Sequence, residues 1–248
     1  MPATSLEKNY QADLTNSILR IEAVSKSFGY RQILNDVHLA LQEREMTLLL
    51  GKNGSGKTTL MKIIAGLVRP SGGTIFFRGG DITEHPESLR SAIGVISHQT
   101  GFYGELTAGE NLVFFGRLGK KDNMDEKVRQ ALEKTGLSQF VDLPVKTFSS
   151  GMGKRLNIAR LMVLEPAILL LDEPYTGLDY DSTRFFNEYL ESFKATGGSI
   201  LMITHQIETC FDLCDTIAIL EDKELKRSFV STAFSMEALI REYHNLTR

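Results

Sequence analysis

Residues 51–59 read Gly-Lys-Asn-Gly-Ser-Gly-Lys-Thr-Thr and fit the spacing G-x-x-x-x-G-K-S/T. That spacing binds phosphate only where a strand enters it and a helix leaves it. Both are expected here. The apolar run Met46-Thr47-Leu48-Leu49-Leu50 predicts a buried strand, and Leu60, Ile63, Ile64 and Leu67 recur at helical spacing. Gly51, Gly54 and Gly56 let the chain turn tightly and bring the backbone N–H groups of Asn53, Gly54, Ser55 and Gly56 against phosphate oxygens. A helix starting near Lys57 adds its positive end. Lys57 then meets the β- and γ-phosphates of a nucleotide as a point charge. Thr58 offers its hydroxyl to Mg²⁺, and Thr59 faces a further phosphate oxygen.

A second group of residues suits hydrolysis of that phosphate. Asp172 and Glu173 follow the apolar strand Ile168-Leu169-Leu170-Leu171 directly. Asp172 is suited to the Mg²⁺ shell. Glu173 is suited to orienting and deprotonating a water, a role worth about 10² to 10⁴ in rate. Without the phosphate loop the same two carboxylates would read equally well as a solvated strand end. His205 closes the next predicted strand and can reach a γ-phosphate oxygen, although a lone histidine is more often a satisfied structural residue. Gln99, after the predicted strand 93–97, can reach metal and water through a neutral amide.

Positioning these groups takes a sheet. Leu19, Ile21 and Ala23 alternate with Arg20 and Glu22, and Val37, Leu39 and Leu41 alternate with His38 and Gln42. Two half-buried antiparallel strands are therefore predicted before the loop, with residues 74–78 extending them. From about 100 to 164 the pattern is helical, with a capping box at Thr107 and Glu110, a shared face of Val128 and Leu132, and Gly136 past a helix end. Pro166 ends that stretch. Strand and helix then alternate: Asp181 is expected to cap a helix carrying Phe185, Tyr189 and Phe193, and strands follow at 199–204 and 216–220. This is a three-layer α/β pattern. Right-handed crossovers should bring the phosphate loop, Asp172-Glu173 and His205 to one sheet edge.

The expected divisions are a flexible leader 1–17, a nucleotide-binding core from 18–99 and 165–229 that includes the antiparallel strands, a helical insertion 100–164, and a terminal helical tail 230–248. In the tail Leu239, Ile240, Tyr243 and Leu246 mark a helix.

The 248 residues carry a net charge of −3 with 42% hydrophobic and 24% charged residues, and the pI is about 6.0. That balance gives no basic face for nucleic acid. No apolar run of about 18 residues is present to span a membrane, and the first 17 residues have no signal-peptide core. Cys210 and Cys214 are expected as core residues on the apolar side of one helix with Ile207 and Phe211. A disulfide across one turn is geometrically poor, a metal site would need further ligands, and this cysteine usage fits the cytosol.

Taken in order, the motifs resemble the ATP-binding subunit of an ATP-binding-cassette (ABC) transporter from Ile18 to about Phe229. Residues 51–58 are similar to the Walker A motif, His98-Gln99 to the Q-loop, Phe148-Ser149-Ser150-Gly151-Met152 to the signature, 168–173 to Walker B, Gly177-Leu178-Asp179 to the D-loop, and Thr204-His205 to the H-loop. The signature departs from the commoner Leu-Ser-Gly-Gly-Gln. Even so, Ser149 and the N–H groups of Ser150 and Gly151 still open a helix and keep an anion site.

The resemblance implies a RecA-like P-loop NTPase core with a parallel sheet, a small antiparallel β subdomain and an inserted helical subdomain. It implies hydrolysis of ATP with Mg²⁺ to ADP and phosphate. Two copies would stack head to tail, each offering Ser149, Ser150 and Gly151 to the other's γ-phosphate, with Asp179 relaying between the sites. Phe28 resembles the aromatic that stacks on adenine, and Tyr30 is its neighbouring rival. A separate transmembrane permease is implied as partner, which places the chain in the cytoplasm on the inner face of the cell membrane. The segment from Gln99 to Leu106 would sense that permease, although Phe102 and Tyr103 suit a subdomain core equally.

Within the family, residues 97–118, Phe148 to Arg155, Asp172 to Asp179 and Ile203 to Gln206 are similar to the ATPase of haem exporters used in cytochrome c maturation. Drug- and polysaccharide-export ATPases share much of this wording. Two rivals are a soluble ABC ATPase of iron–sulfur assembly, translation or DNA repair, and an unrelated GTPase or kinase. This sequence holds one set of motifs, no long coiled-coil insertion and no N-K-x-D guanine motif.

Overall fold

The computed structural model describes residues 17–82, 86–97, 101–233 and 235–247. Along them run β1 (Ser17–Phe28), β2 (Arg31–Gln42), β3 (Met46–Leu50), α1 (Lys57–Ile64), β4 (Gly72–Phe77), β5 (Gly80–Asp81), α2 (Pro86–Ala92), β6 (Ile93–Ile96), α3 (Ala108–Leu118), α4 (Met124–Lys134) and α5 (Ser150–Leu164). The chain continues through β7 (Ile168–Asp172), α6 (Tyr180–Ala195), β8 (Ser199–Ile203), α7 (Ile207–Cys210), β9 (Thr216–Glu221), β10 (Glu224–Val230) and α8 (Met236–Thr247). β1 starts at Ser17, one residue inside the expected leader, and the remainder of that leader lies outside the described residues.

Two sheets form. The antiparallel one has the order β2-β1-β4-β5, and the six-stranded one has the order β10-β9-β3-β8-β7-β6. In the second sheet β9, β3, β8, β7 and β6 run parallel, and β10 is antiparallel at the edge. Parallel strands covered on both faces must be apolar throughout. β3 and β8 are buried at every position, and β7 at all but its last.

The pleat sends alternate residues to opposite layers. Leu49, Ile168 and Leu170 join the core under α1 and the antiparallel sheet, whereas Leu48, Leu50, Leu169 and Leu171 join the core under α6. A third core holds α3, α4 and α5 together through Leu112, Val128, Leu132, Leu156, Ala159 and Val163. α5 serves two cores. Its Leu156, Ala159 and Val163 face the helical layer, and its Ile158 and Leu161 pack on the sheet. Each such buried Leu or Ile contributes roughly 1.5–3 kcal/mol.

The capping box at Thr107 and Glu110 forms in both directions, and Gly136 follows α4 in a left-handed conformation (φ 69°). Three expectations change. Leu67 is not on α1, which ends at Ile64. The chain turns at left-handed Gly66, whose carbonyl accepts from Arg90 Nη2 at 3.0 Å, and Leu67 is left 72% exposed. Asp179, not Asp181, caps α6: its Oδ1 accepts the Ser182 N–H at 2.8 Å, which leaves Asp181 inside the first turn. Cys210 and Cys214 do not share a helix face, because α7 stops at Cys210 and a 3₁₀ turn through Phe211–Leu213 intervenes. Both thiols are buried and free, in the core as expected.

Candidate phosphate-binding and hydrolytic site

The loop 51–56 leaves the end of β3 and enters α1, as its composition requires. At Gly56 the backbone is left-handed (φ 112°), and a Cβ there would lie 2.6 Å from Leu34 Cδ2. Glycine is therefore demanded by conformation and by space. Lys57 is only 8% exposed. Its Nζ donates to the carbonyl oxygens of Gly51 (2.6 Å) and Lys52 (2.9 Å), so the ammonium is tethered inside the loop. Burial pulls its pKa below the usual lysine range, and the carboxylates of Glu173 and Asp172 oppose that pull.

One turn on, Thr58 Oγ1 donates to Asp172 Oδ2 at 3.2 Å. Asp172 ends β7, so this hydrogen bond joins segments more than a hundred residues apart. A hydroxyl and a carboxylate facing each other beside a phosphate site are hard oxygen ligands suited to Mg²⁺.

Glu173 takes a left-handed conformation (φ 51°) that costs a non-glycine residue of order 1–3 kcal/mol. It is held there by its own N–H donating to Ile203 O (2.8 Å) and by the His205 N–H donating to Glu173 Oε2 (3.2 Å). Oε1 lies 3.5 Å from His205 Nε2, buried and without a hydrogen bond. Ser55 Oγ is likewise buried and unpaired in the loop. Buried polar atoms are ordinarily satisfied. The orphan hydroxyl on the loop can donate to a phosphate oxygen, and the orphan carboxylate oxygen can accept from a water placed beside that phosphate.

These residues share one cavity of about 340 Å³, lined by Asn53, Gly54, Gly56, Lys57, Thr58, Thr59, Asp172, Glu173, Ile203 and His205, with Arg31 and Ile33 closing one side. Arg31 and Ile33 were not read from the sequence. They come from the start of β2, whose alternation reports burial but not that its first residues border the cavity; nothing local signals that contact.

Phe28 does not line the cavity. It is 54% exposed at the end of β1 with Lys26 Nζ 4.7 Å from its ring, and Tyr30 is fully exposed in the turn beyond. Ser149 caps α5 by accepting the Met152 N–H at 3.2 Å. Ser149 and Ser150 are exposed, Gly151 follows in the first turn, and none of the three lines the cavity of their own chain. Asp179 has its local task as the α6 cap, and hydrogen bonding to Ser182, through its side chain first and its N–H second, keeps the Asp179 carboxyl below the usual range. Lys154 Nζ of α5 donates to Thr176 O, tying the signature helix to the turn after Glu173. Gln99 lies outside the described residues, as do His98 and Thr100.

A glycine loop between strand and helix, a buried lysine, a hydroxyl–carboxylate pair and a strained glutamate on one edge of a parallel sheet define a P-loop nucleoside triphosphatase. Comparison with known proteins narrows this. Residues 34–176 match the ABC transporter family. The chain is 36% identical over 214 residues to the uncharacterized ABC transporter ATP-binding protein YdbJ of Bacillus subtilis, covering 86% of this chain and 69% of that one. It is 33% identical over 211 residues to Nod factor export ATP-binding protein I of Bradyrhizobium diazoefficiens, covering 84% and 69%. Among solved structures, an ATP-binding subunit of an ABC transporter superposes with a TM-score of 0.84 at 28% identity, covering 94% of this chain and all of that one.

The chain therefore belongs to the ABC transporter family as its ATP-binding subunit, an ATPase coupled to transport. Among the described residues no helix is long and apolar enough to cross a membrane.

Proposed function

We propose that this chain is the motor of an exporter, in which ATP bound between two copies drives a separate permease. The observation that carries the reading is that Glu173, whose Oε1 is buried without a hydrogen bond, lines the same cavity as Lys57, Thr58 and Asp172. Lys57 and the loop N–H groups of Asn53 to Thr59 hold the β- and γ-phosphates, and Phe28 at the hairpin end stacks on the base. Thr58, Asp172 and Gln99 would hold Mg²⁺. The metal, when bound, neutralises charge on the phosphate oxygens. Glu173 takes a proton from a water whose oxygen adds to the γ-phosphorus as the bond to the bridging oxygen breaks, giving ADP and phosphate. His205 fixes the Glu173 carboxylate and donates to the γ-phosphate. Ser149, Ser150 and Gly151 of the second copy complete the site, with Asp179 between the two sites.

For the permease, the supporting surface is the groove of Glu110, Val113, Phe114, Arg117 and Leu118 on α3, with Leu106 just before the helix. Tyr103 stands beside it, 52% exposed and edge-on to Phe114 at 5.0 Å, whereas Phe102 packs into the helical core. Docking there places the chain on the cytoplasmic face of the membrane. Export is supported by the Nod factor relative. Haem as the cargo rests only on the wording of residues 97–118, 148–155, 172–179 and 203–206, and a strain lacking this chain that still matures c-type cytochromes would remove it.

The test is Glu173→Gln. It should keep Mg-ATP binding, slow turnover at least about 10²-fold, and give a dimer under saturating Mg-ATP by light scattering. A variant that turns over at the native rate would overturn the assignment of the base. A consistently soluble assembly with no membrane protein, on purification from detergent-solubilised membranes, would overturn the transport reading.

A further inference from the structure

The terminal helix α8 has no part in the chemistry above, yet it reaches the phosphate loop. Ser235 starts it: its Oγ accepts the Ala238 N–H at 3.2 Å, and its carbonyl accepts the Leu239 N–H at 2.9 Å. Leu239 is fully buried in the core that also contains Met46, Leu48, Leu50 and Phe229, and Tyr243, one turn later on the same face, packs against that core. The Tyr243 hydroxyl then donates to Gly51 O at 3.2 Å. That oxygen also accepts Lys57 Nζ at 2.6 Å.

We propose that Tyr243 is a positioning residue for nucleotide binding: its hydroxyl holds the Gly51 peptide plane, so that the carbonyl beneath the loop keeps Lys57 aimed at the phosphates. The inference rests on Lys57 being the phosphate-binding lysine. Gly51 cannot take up a change in this contact by shifting sideways. A Cβ at its Cα would lie 2.2 Å from Leu220 O and 2.8 Å from Ser55 Oγ, so the strand end is closely packed on that side. On the carbonyl side, rotation of the peptide is opposed by the Tyr243 donor. Burial, aided by the nearby Glu173 charge, raises the phenol pKa, so the hydroxyl stays a donor at neutral pH.

Two consequences follow. Without the hydroxyl, Lys57 loses its fixed support and nucleotide binds less well, whereas Glu173 keeps its own hydrogen bonds to Ile203 and His205 and the chemical step is preserved. Because linkage is reciprocal, bound nucleotide must also steady α8 on the core. The helix is then a reporter of loop occupancy on the face opposite the antiparallel sheet.

The experiment compares native chain with Tyr243→Phe, which keeps the buried ring and removes one donor. ATP turnover should show KM raised about three- to tenfold with kcat within twofold, the range for losing one hydrogen bond. Hydrogen exchange of residues 236–247 should slow on adding Mg-ATP in the native chain and respond much less in the variant. A variant with native KM, or one whose kcat falls with KM unchanged as lost folded enzyme would give, overturns the proposal. So does native α8 exchange that is indifferent to Mg-ATP. A native chain that neither binds nor hydrolyses ATP would instead overturn the underlying reading of the site. Leu239→Ala, which loosens the helix but keeps the hydroxyl, should raise KM in the same direction.

Discussion

Lys57 is an ammonium withdrawn from water and tied to two carbonyls of its own loop. Such a charge is costly unless an anion replaces the lost hydration, and this makes the residue a binding group before any nucleotide is considered. Replacing it with alanine should lower Mg-ATP affinity by about a hundredfold or more while leaving the thermal unfolding of the chain close to native. Calorimetric titration and a melting curve check both parts, and an unchanged affinity would refute the role. Glu173 presents the opposite case. Its left-handed backbone carries strain, and its neighbours Ile203 and His205 hold it in place. Strain persists where the surroundings over-determine it, and here the fixed point is a carboxylate oxygen aimed at the phosphate cavity.

Helix α5 joins two layers. Where its sheet side meets β6 the approach is close at Gly94: an added Cβ would stand 2.6 Å from Leu161 Cδ2 and 2.9 Å from Pro166 Cγ, so buried side chains would have to shift. Gly94→Ala should therefore cost about 1–3 kcal/mol, the range for overpacking a core. A lowered urea midpoint without a change in slope would register it. A second tie runs through Arg160, which lies 5.0 Å from the ring centroids of Phe102 and Phe115 and donates to Val95 O at 3.3 Å. Burial brings its guanidinium down to about 10. One side chain of the signature helix thus touches the strand leading toward Gln99 and the aromatic layer beside the α3 groove. Movement of α5 relative to the sheet cannot leave those two surfaces unaffected.

A single chain places Ser149 and Ser150 at an exposed helix end that does not face its own phosphate cavity. If the second copy supplies that end, the active site is shared. A mixing experiment then has a sharp outcome. Lys57→Ala and Ser149→Arg chains should each be inactive alone, and their mixture should regain part of the native turnover, because one site of each mixed dimer joins an intact lysine to an intact serine. Turnover of the mixture no greater than the sum of its parts would exclude a shared site.

The phosphate loop, the carboxylates after an apolar run and the layered α/β pattern were legible because each depends on near neighbours in the chain. A loop needs glycine where its own backbone turns, and a doubly covered strand must be apolar at every step. The same local signals misled at the cap of α6, expected at Asp181 and formed by Asp179, and where helical spacing ran past a glycine, as with Leu67. Contacts between distant segments had no such signal. That Thr58 meets Asp172, that Arg31 borders the cavity and that Tyr243 reaches Gly51 depends on crossover handedness and layer packing. Sequence thus dictated which groups could handle a nucleotide, since residue chemistry and backbone turns are short-range properties. Folding in three dimensions chose their neighbours, because burying one face of every element against another is settled by the chain as a unit.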